Sequence, residues 1–209
     1  MMEHDLLSEF GGFVAEMMIR EREDQRFSAW LARRGLSRER RGFAGGMGIG
    51  VVNIDEKTDT FAPALAEGGE RVFVVPVWDG PASEFANPWL HKSPLVDLVA
   101  WRPGVPLRLF RRSGEGLVIG IEAIDLAVES DEPLRLFQSV ADFIRHGGER
   151  GPGGFAAVVV NPAATWWALE GVRQVVCDNY EHALNVDRAL DEQRQKPRVA
   201  FHEKGRAAA

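Results

Sequence analysis

The sequence predicts an α+β fold, in which an N-terminal helix and a small, mostly antiparallel β region precede an α/β half with parallel strands. Three observations support this prediction. Apolar residues recur at helical spacing near the N-terminus, short β-rich runs occupy the middle of the chain, and strand and helix signals alternate toward the C-terminus. The predicted parts of the 209 residues are a helical segment over 1–42, a β-rich region over 43–113, an α/β region over 114–195 and a frayed tail over 196–209, all in one compact unit.

The N-terminal segment over 4–34 is predicted to form one amphipathic helix. Its apolar side chains recur at steps of three and four residues, and the run "REREDQR" (20–26) is highly charged. Each glycine inside a helix lowers its stability by roughly 1 kcal/mol relative to alanine. We therefore expect any break in this helix at Gly11-Gly12.

The β-rich region contains four runs of Val, Leu and aromatic residues bounded by Gly, Pro and Asn. Pro76 cannot donate a ladder hydrogen bond, so it predicts an edge strand or a bulge. The glycine cluster "GGMGIG" (45–50) matches neither the dinucleotide nor the P-loop spacing and predicts a flexible turn before a strand. An irregular loop is expected over 82–93. The predicted strands are 48–56, 71–80, 94–103 and 106–112.

The α/β half carries specific boundary signals. Ser139 and Asp142 resemble a capping box that begins a helix, and Gly147 is suited to end it. Two successive strand–helix–strand crossovers imply a parallel sheet covered by helices. The segment 117–128 fits either an apolar strand or one face of a helix. The predicted strands are 134–137, 155–160 and 173–177, and the later helices begin at Asn161-Pro162 and at about 179.

Composition and charge limit the class of protein. The net charge is −6, so no global positive field draws the chain to nucleic acid. The single cysteine excludes an internal disulfide and a multi-cysteine zinc site. Neither a membrane-spanning run nor a secretory signal is recognisable. These features favour a soluble, cytoplasmic protein that makes no membrane contact.

Two kinds of side chain are candidates for binding. The cluster "RRGLSRERR" (33–41) could contact phosphates, although a solvated helix end has the same composition. The adjacent pair Trp166-Trp167 projects in directions about 100° apart on a helix, so both cannot face one core. The candidate binding residues are Arg33, Arg34, Arg38, Arg40, Arg41, Trp89, Trp166 and Trp167.

The stretch "VVCDNYEHALNVDRAL" (175–190) joins a strand to a helix and offers candidate catalytic groups. Asp178 is predicted to cap the helix, with Glu181 at the third position of a capping box. Cys177 fits a small buried hydrophobic residue. The alternative is a nucleophilic thiolate at Cys177 paired with His182, which would require a cationic environment.

The segment "LVIGIEAIDLAV" (117–128), followed by 175–190, resembles the Toprim domain of primases and topoisomerases. That family combines a strand ending in glutamate with a later strand ending in D-x-D, and its carboxylates hold Mg²⁺ for phosphoryl transfer. The resemblance implies a magnesium site built from Glu122, Asp178 and Asp125.

The match to the Toprim motifs departs at two positions. Ile121 stands at the glutamate position, and Tyr180 stands at the second aspartate. The resemblance is therefore to a degenerate domain, and Mg²⁺ is expected only if an active Toprim-like site exists.

Two further stretches, "PLVDLVAWRPGVPLRLF" and "PLRLFQSVADFIRHGG", are similar to uncharacterised proteins of bacterial prophages and mobile elements. This resemblance implies a genomic setting but no mechanism. Because the chain contains no H-E-x-x-H, G-x-S-x-G, Walker or zinc-site motif, we expect a non-enzymatic accessory or regulatory binding protein of a bacterium or of such an element, with no cofactor. It would bind a protein partner, or nucleic acid through the arginines of 33–41. The alternatives are a Toprim-like Mg²⁺-dependent enzyme of nucleic-acid metabolism and a Cys177/His182 hydrolase.

Overall fold

A computed structural model describes residues 5–42, 46–64, 68–79 and 94–191. The loop expected over 82–93 and the tail expected over 196–209 lie outside these residues. The α+β class is confirmed, as is the order of N-terminal helices, β region and α/β half.

Two helices, rather than one, form the first part of the N-terminal segment. The first helix passes through Gly11-Gly12 without interruption, so the break expected there is wrong. The chain instead turns at Asp24, whose carboxylate accepts hydrogen bonds from two backbone amides of the next turn. A side-chain cap of this kind starts a new helix by satisfying its first free N–H groups. The N-terminal helices are α1 (Leu6–Glu23), α2 (Gln25–Arg33) and α3 (Arg38–Gly42).

Five strands of the middle region close into a barrel: β1 (Gly48–Asp55), β2 (Thr60–Pro63), β3 (Glu70–Trp78), β4 (Leu95–Arg102) and β5 (Val105–Arg111). Their order is β1-β2-β5-β4-β3, and β3 pairs back onto β1. All neighbours are antiparallel except β2 and β5, which meet at Thr60 and Arg111. Pro76 lies beyond the last residue of β3 that pairs with β1 and just before a bulge at Val77 and Trp78. The bulge predicted from this proline is confirmed.

Gly48 and Gly50 of the cluster 45–50 lie inside β1, which begins where the strand over 48–56 is predicted to begin, and Gly46 precedes the strand at φ 104°. α1 packs directly on this strand, with Phe13 against Gly48 and Gly50. A Cβ atom at Gly48 would lie 2.5 Å from the Cβ of Phe13 and 2.6 Å from its backbone carbonyl carbon. The two glycines therefore let a helix backbone approach a strand closely.

The α/β half contains a sheet with the order β10-β7-β9-β6, and β8 pairs with β9. Its members are β6 (Val118–Ile119), β7 (Leu134–Leu136), β8 (Arg150–Gly151), β9 (Gly154–Val159) and β10 (Val175–Cys177). The predicted parallel arrangement is confirmed for β10, β7 and β9, whereas β6 and β8 run antiparallel to β9.

Helices cover the sheet on its two faces. Ser139 accepts a hydrogen bond from the Asp142 amide, and Gly147 ends the same helix at φ 109°, so both predicted boundaries are confirmed. The segment 117–128 is mainly helical and contributes only a two-residue strand. The helices are α4 (Ile121–Ser130), α5 (Val140–His146), α6 (Thr165–Ala168), preceded by a 3-10 turn (Pro162–Ala164), and α7 over 180–191.

The barrel and the sheet share a hydrophobic core. Residues of the barrel, among them Val75 and Val77, pack with α5 and with Ala156 and Val158 of β9. The opposite face of the sheet packs against α4, α6 and α7, where Leu136 and Val186 are buried. The two regions are therefore one packed body, and α5 packs against both of them.

Asp97 of β4 anchors the connection from the barrel to the sheet. Its side chain is 0% exposed, and its two oxygens accept hydrogen bonds at 2.8–3.0 Å. The donors are the backbone amides of Leu98, Arg112, Ser113, Gly114 and Gly116. Most of these amides belong to the turn after β5, so one buried carboxylate fixes the path of that turn.

Candidate functional site

The sheet has a topological switch point between the adjacent strands β7 and β10. The chain leaves β7 toward α5, which packs on one face, and leaves β10 toward α7, which packs on the other. The two connections therefore diverge and leave a crevice between them. In open parallel sheets, ligands bind in such a crevice, outside the carboxyl ends of the strands.

An open pocket of about 590 Å³ includes Asp178 and Asn179 at this position and extends beside α5 to Arg135 of β7. Its volume falls in the range of small-molecule binding sites, about 300–1,000 Å³. The rings of Phe137 and His146 contact each other in its wall, with centroids 5.3 Å apart. The other lining residues are Arg135, Asp142, Arg145, Asp178 and Asn179.

Asp178 connects the two sides of the pocket. Its carboxylate accepts a hydrogen bond from the Gln138 amide at 3.1 Å and lies 2.6 Å from Nδ1 of His182. The cap of α7 is Asn179, whose side-chain oxygen accepts the His182 amide at 2.8 Å. The prediction that Asp178 caps the helix is therefore wrong, because the next residue does so and leaves the carboxylate to bridge α7 and the β7–α5 loop.

Arg145 is held from three directions. Its guanidinium pairs with Asp142, and its Nε donates to the Arg34 carbonyl at 2.6 Å. Its own carbonyl oxygen accepts a hydrogen bond from Arg40. The pocket wall is thereby joined to the segment between α2 and α3.

Arg135 differs from the other charged residues of the pocket. Its Nε donates to the Gly153 carbonyl at 2.8 Å, and no described carboxylate pairs with its guanidinium. Leu134 and Leu136 on either side are buried, whereas Arg135 is exposed on the opposite face of β7. The pocket therefore contains one positive charge that the described part of the protein does not neutralise.

The candidate thiol nucleophile lies in an unfavourable environment. Cys177 is partly buried against the core on the α7 side of the sheet. Burial raises the pKa of its thiol, and the negative charge of Asp178 raises that pKa further. The imidazole of His182 is bonded to Asp178, and no hydrogen bond joins it to Cys177. This arrangement suits a structural cysteine better than a thiolate nucleophile.

Cys177 should therefore react slowly with iodoacetamide at pH 7, at least several-fold more slowly than glutathione. A raised pKa moves the rate–pH curve to higher pH, since only the thiolate attacks. Asp178→Asn removes a negative neighbour and should shift the curve back toward lower pH. Mass spectrometry of the single cysteine measures both rates. Asp125→Asn is the matched control, and a wild-type rate equal to that of glutathione would contradict the assignment.

The residues implied by the Toprim resemblance are far apart in the sheet. β6 runs antiparallel to β9, so Glu122 follows it at the edge opposite to Asp178. Glu122 pairs with Arg150 at 3.3 Å, and Asp125 is exposed on α4. Within the described ranges, no three His, Cys, Asp or Glu side chains are grouped so that they could hold a metal ion. The implied magnesium set is therefore not assembled.

The fold buries one arginine of the cluster 33–41 and leaves the other four exposed. Arg41 is 4% exposed and pairs with Glu21 at 2.6 Å, so it joins α3 to α1 and does not belong to the surface. Trp167 is 50% exposed. Trp89 and the side chain of Trp166 lie outside the described residues. The exposed arginines of the cluster are Arg33, Arg34, Arg38 and Arg40.

Comparison with known proteins assigns the chain to no family. No family model, curated protein or solved structure matches the chain. In the part of the chain that the structure describes, no helix combines the length and the apolar character required to cross a bilayer. The site is therefore characterised by its own geometry.

The sequence reasoning missed Arg135, Phe137 and Arg145 as site residues. One signal was present, because "LRLF" places an arginine between two leucines in a short parallel strand. Alternation sends that arginine to the face opposite the leucines. The exposure of Arg135 beside α5 on that face could be read only from the structure.

Proposed function

We propose that this chain is a non-enzymatic binding protein that holds a carboxylate or phosphate group of its partner in the switch-point pocket. The observation that carries this proposal is the exposed Arg135, whose charge no described carboxylate neutralises. A guanidinium presents its N–H groups in a planar fork that matches the two oxygens of a carboxylate or phosphate.

The charges around Arg135 support an anionic ligand. Asp142 is paired with Arg145, and Asp178 is bonded to the Gln138 amide and to His182. These carboxylates have partners of their own, so they compete weakly for Arg135. A ligand anion would supply the missing countercharge.

The same arrangement favours binding over catalysis. A catalytic nucleophile lies within hydrogen-bond reach of its base and is activated by a lowered pKa. Here no hydrogen bond joins His182 to Cys177, and burial raises the pKa of the thiol. The expected accessory or regulatory role, a protein partner, a cytoplasmic location and an origin in a bacterial prophage or mobile element belong to this proposal.

Thermal melting in the presence of small anions tests the site. At about ten times its Kd, an anion such as pyrophosphate or citrate should stabilise the fold by about 1.4 kcal/mol, and Tm should rise by about 3–6 °C. Arg135→Gln should abolish this rise. Arg173→Gln, which removes an arginine that precedes β10 and pairs with Asp131, should retain it. Failure of every anion to raise the wild-type Tm, or a full rise in Arg135→Gln, would refute the proposed site.

A further inference from the structure

The pocket lies against the exposed arginines that follow α2. Arg145 donates to the Arg34 carbonyl at 2.6 Å, and Arg40 donates to the Arg145 carbonyl. Gly35 is so close that a Cβ atom there would lie 3.0 Å from Cγ of Arg145. These contacts make the arginine-rich segment and the pocket wall one continuous surface.

This surface is strongly cationic in a chain with a net charge of −6. The carboxylates of Asp142 and Asp178 in the pocket already have partners, and Glu39 lies between Arg38 and Arg40 in the sequence. Arg34 lies over the Trp30 ring at 4.0 Å, which holds its guanidinium in place. We call six exposed residues the arginine track: Arg33, Arg34, Arg38, Arg40, Arg135 and Arg145.

We infer that the arginine track binds single-stranded nucleic acid, with one nucleotide seated in the switch-point pocket. This inference rests on the proposed anion site and extends it from one anionic group to a chain of them. A phosphodiester backbone presents one negative charge per nucleotide, so it can engage arginines along the track as well as Arg135. A single carboxylate would leave the arginines near α3 without a ligand.

The shape of the pocket favours a single strand over a duplex. A pocket of about 590 Å³ has room for a nucleotide, and Phe137 beside His146 offers aromatic surface in its wall. Bases of a single strand can turn out and stack on aromatic side chains, whereas paired bases stay inside the duplex. The pocket can therefore receive a base only from unpaired nucleic acid.

Fluorescence anisotropy of the full-length chain with labelled 12-nucleotide single-stranded DNA and RNA tests the inference. Binding should weaken with salt, with a slope of log K against log salt of about −2 to −4, because each phosphate contact contributes about −0.7. Arg33→Gln with Arg38→Gln should weaken binding several-fold and make the slope shallower by about 1.4. Neither side chain makes a hydrogen bond or an ion pair with another described residue, so these changes should leave the fold intact. Arg173→Gln should bind like the wild type.

A second set of measurements tests whether a nucleotide binds in the switch-point pocket. Arg135→Gln should weaken binding of the strand, and a mononucleotide should compete with the strand in the wild type. The matching duplex should bind at least tenfold more weakly. Equal affinity for duplex and single strand, or unchanged affinity in Arg135→Gln, would overturn the placement of a nucleotide in the pocket.

The outcomes separate this inference from the proposed function. If no oligonucleotide binds while pyrophosphate still raises the Tm in an Arg135-dependent manner, the arginine track is not a nucleic-acid site and the proposed function stands. If polyglutamate displaces the strand as well as unlabelled DNA does, an acidic protein segment is the better ligand, and the nucleic-acid inference is wrong. If neither oligonucleotides nor small anions act, both proposals fail.

Discussion

Replacing Asp97 by alanine is expected to lower the free energy of unfolding by about 3–5 kcal/mol, the range for removing one member of a buried charged network. The carboxylate is fully buried and accepts five backbone N–H groups, which alanine would leave without a partner. Urea denaturation followed by tryptophan fluorescence measures the change. For a chain of this size the Tm should fall by roughly 10 °C.

Asp97→Asn separates the contribution of side-chain size to stability from the contribution of the accepted hydrogen bonds. The amide has the size of the carboxylate, but its NH₂ group would face backbone N–H donors on one side, because both carboxylate oxygens accept such groups. We expect most of the loss seen with alanine. Asp125→Asn, on the exposed face of α4, should change stability by no more than about 0.5 kcal/mol. An Asp97→Asn protein as stable as the wild type would show that the network contributes little.

Two glycine-to-alanine changes should move stability in opposite directions. Gly48→Ala would place its Cβ 2.6 Å from the Phe13 carbonyl carbon, so α1 must shift away from β1. Overpacking of this kind destabilises by about 1–3 kcal/mol, and contact with helix backbone places the change at the upper end. Gly12→Ala has nothing within 4 Å of the new Cβ and lies in a helix. It should stabilise by about 0.5–1 kcal/mol.

The pair of variants has a built-in control, because both residues lie in the same α1–β1 unit. Equilibrium denaturation of each variant, and of the double variant Gly12→Ala/Gly48→Ala, measures the two changes and the coupling between the two positions through α1. Near-ultraviolet circular dichroism should show that Gly48→Ala disturbs aromatic packing. A neutral Gly48→Ala would mean that α1 does not pack against β1 as closely as the structure describes.

Local chemistry made the α/β half predictable. Ser139 and Gly147 carry the conformations that begin and end a helix, and their side chains, or the lack of one, act within a few residues. The barrel depended on distant pairing instead. β2 is four residues long and joins β5 through the single pair Thr60 and Arg111. No local sequence pattern predicts this pairing.

In the candidate site, too, some features follow from the local sequence and others depend on distant residues. Asp178 and Asn179 are equally good helix caps by chemistry, and the choice between them depends on the distant amide of Gln138 and on His182. Arg135 could be placed on one face of β7 from alternation alone. Its neighbours in the pocket come from α5 and from the segment after β10, and their meeting required the three-dimensional fold.

The carboxylate of Asp178 also bears on how the pocket would receive a ligand. It ties the loop that precedes α5 to the first turn of α7, so the two walls of the crevice are joined before anything binds. A preorganised site loses little conformational entropy on association. Without this tie, as in Asp178→Ala, the ordering of both walls would add to the free-energy cost of ligand binding.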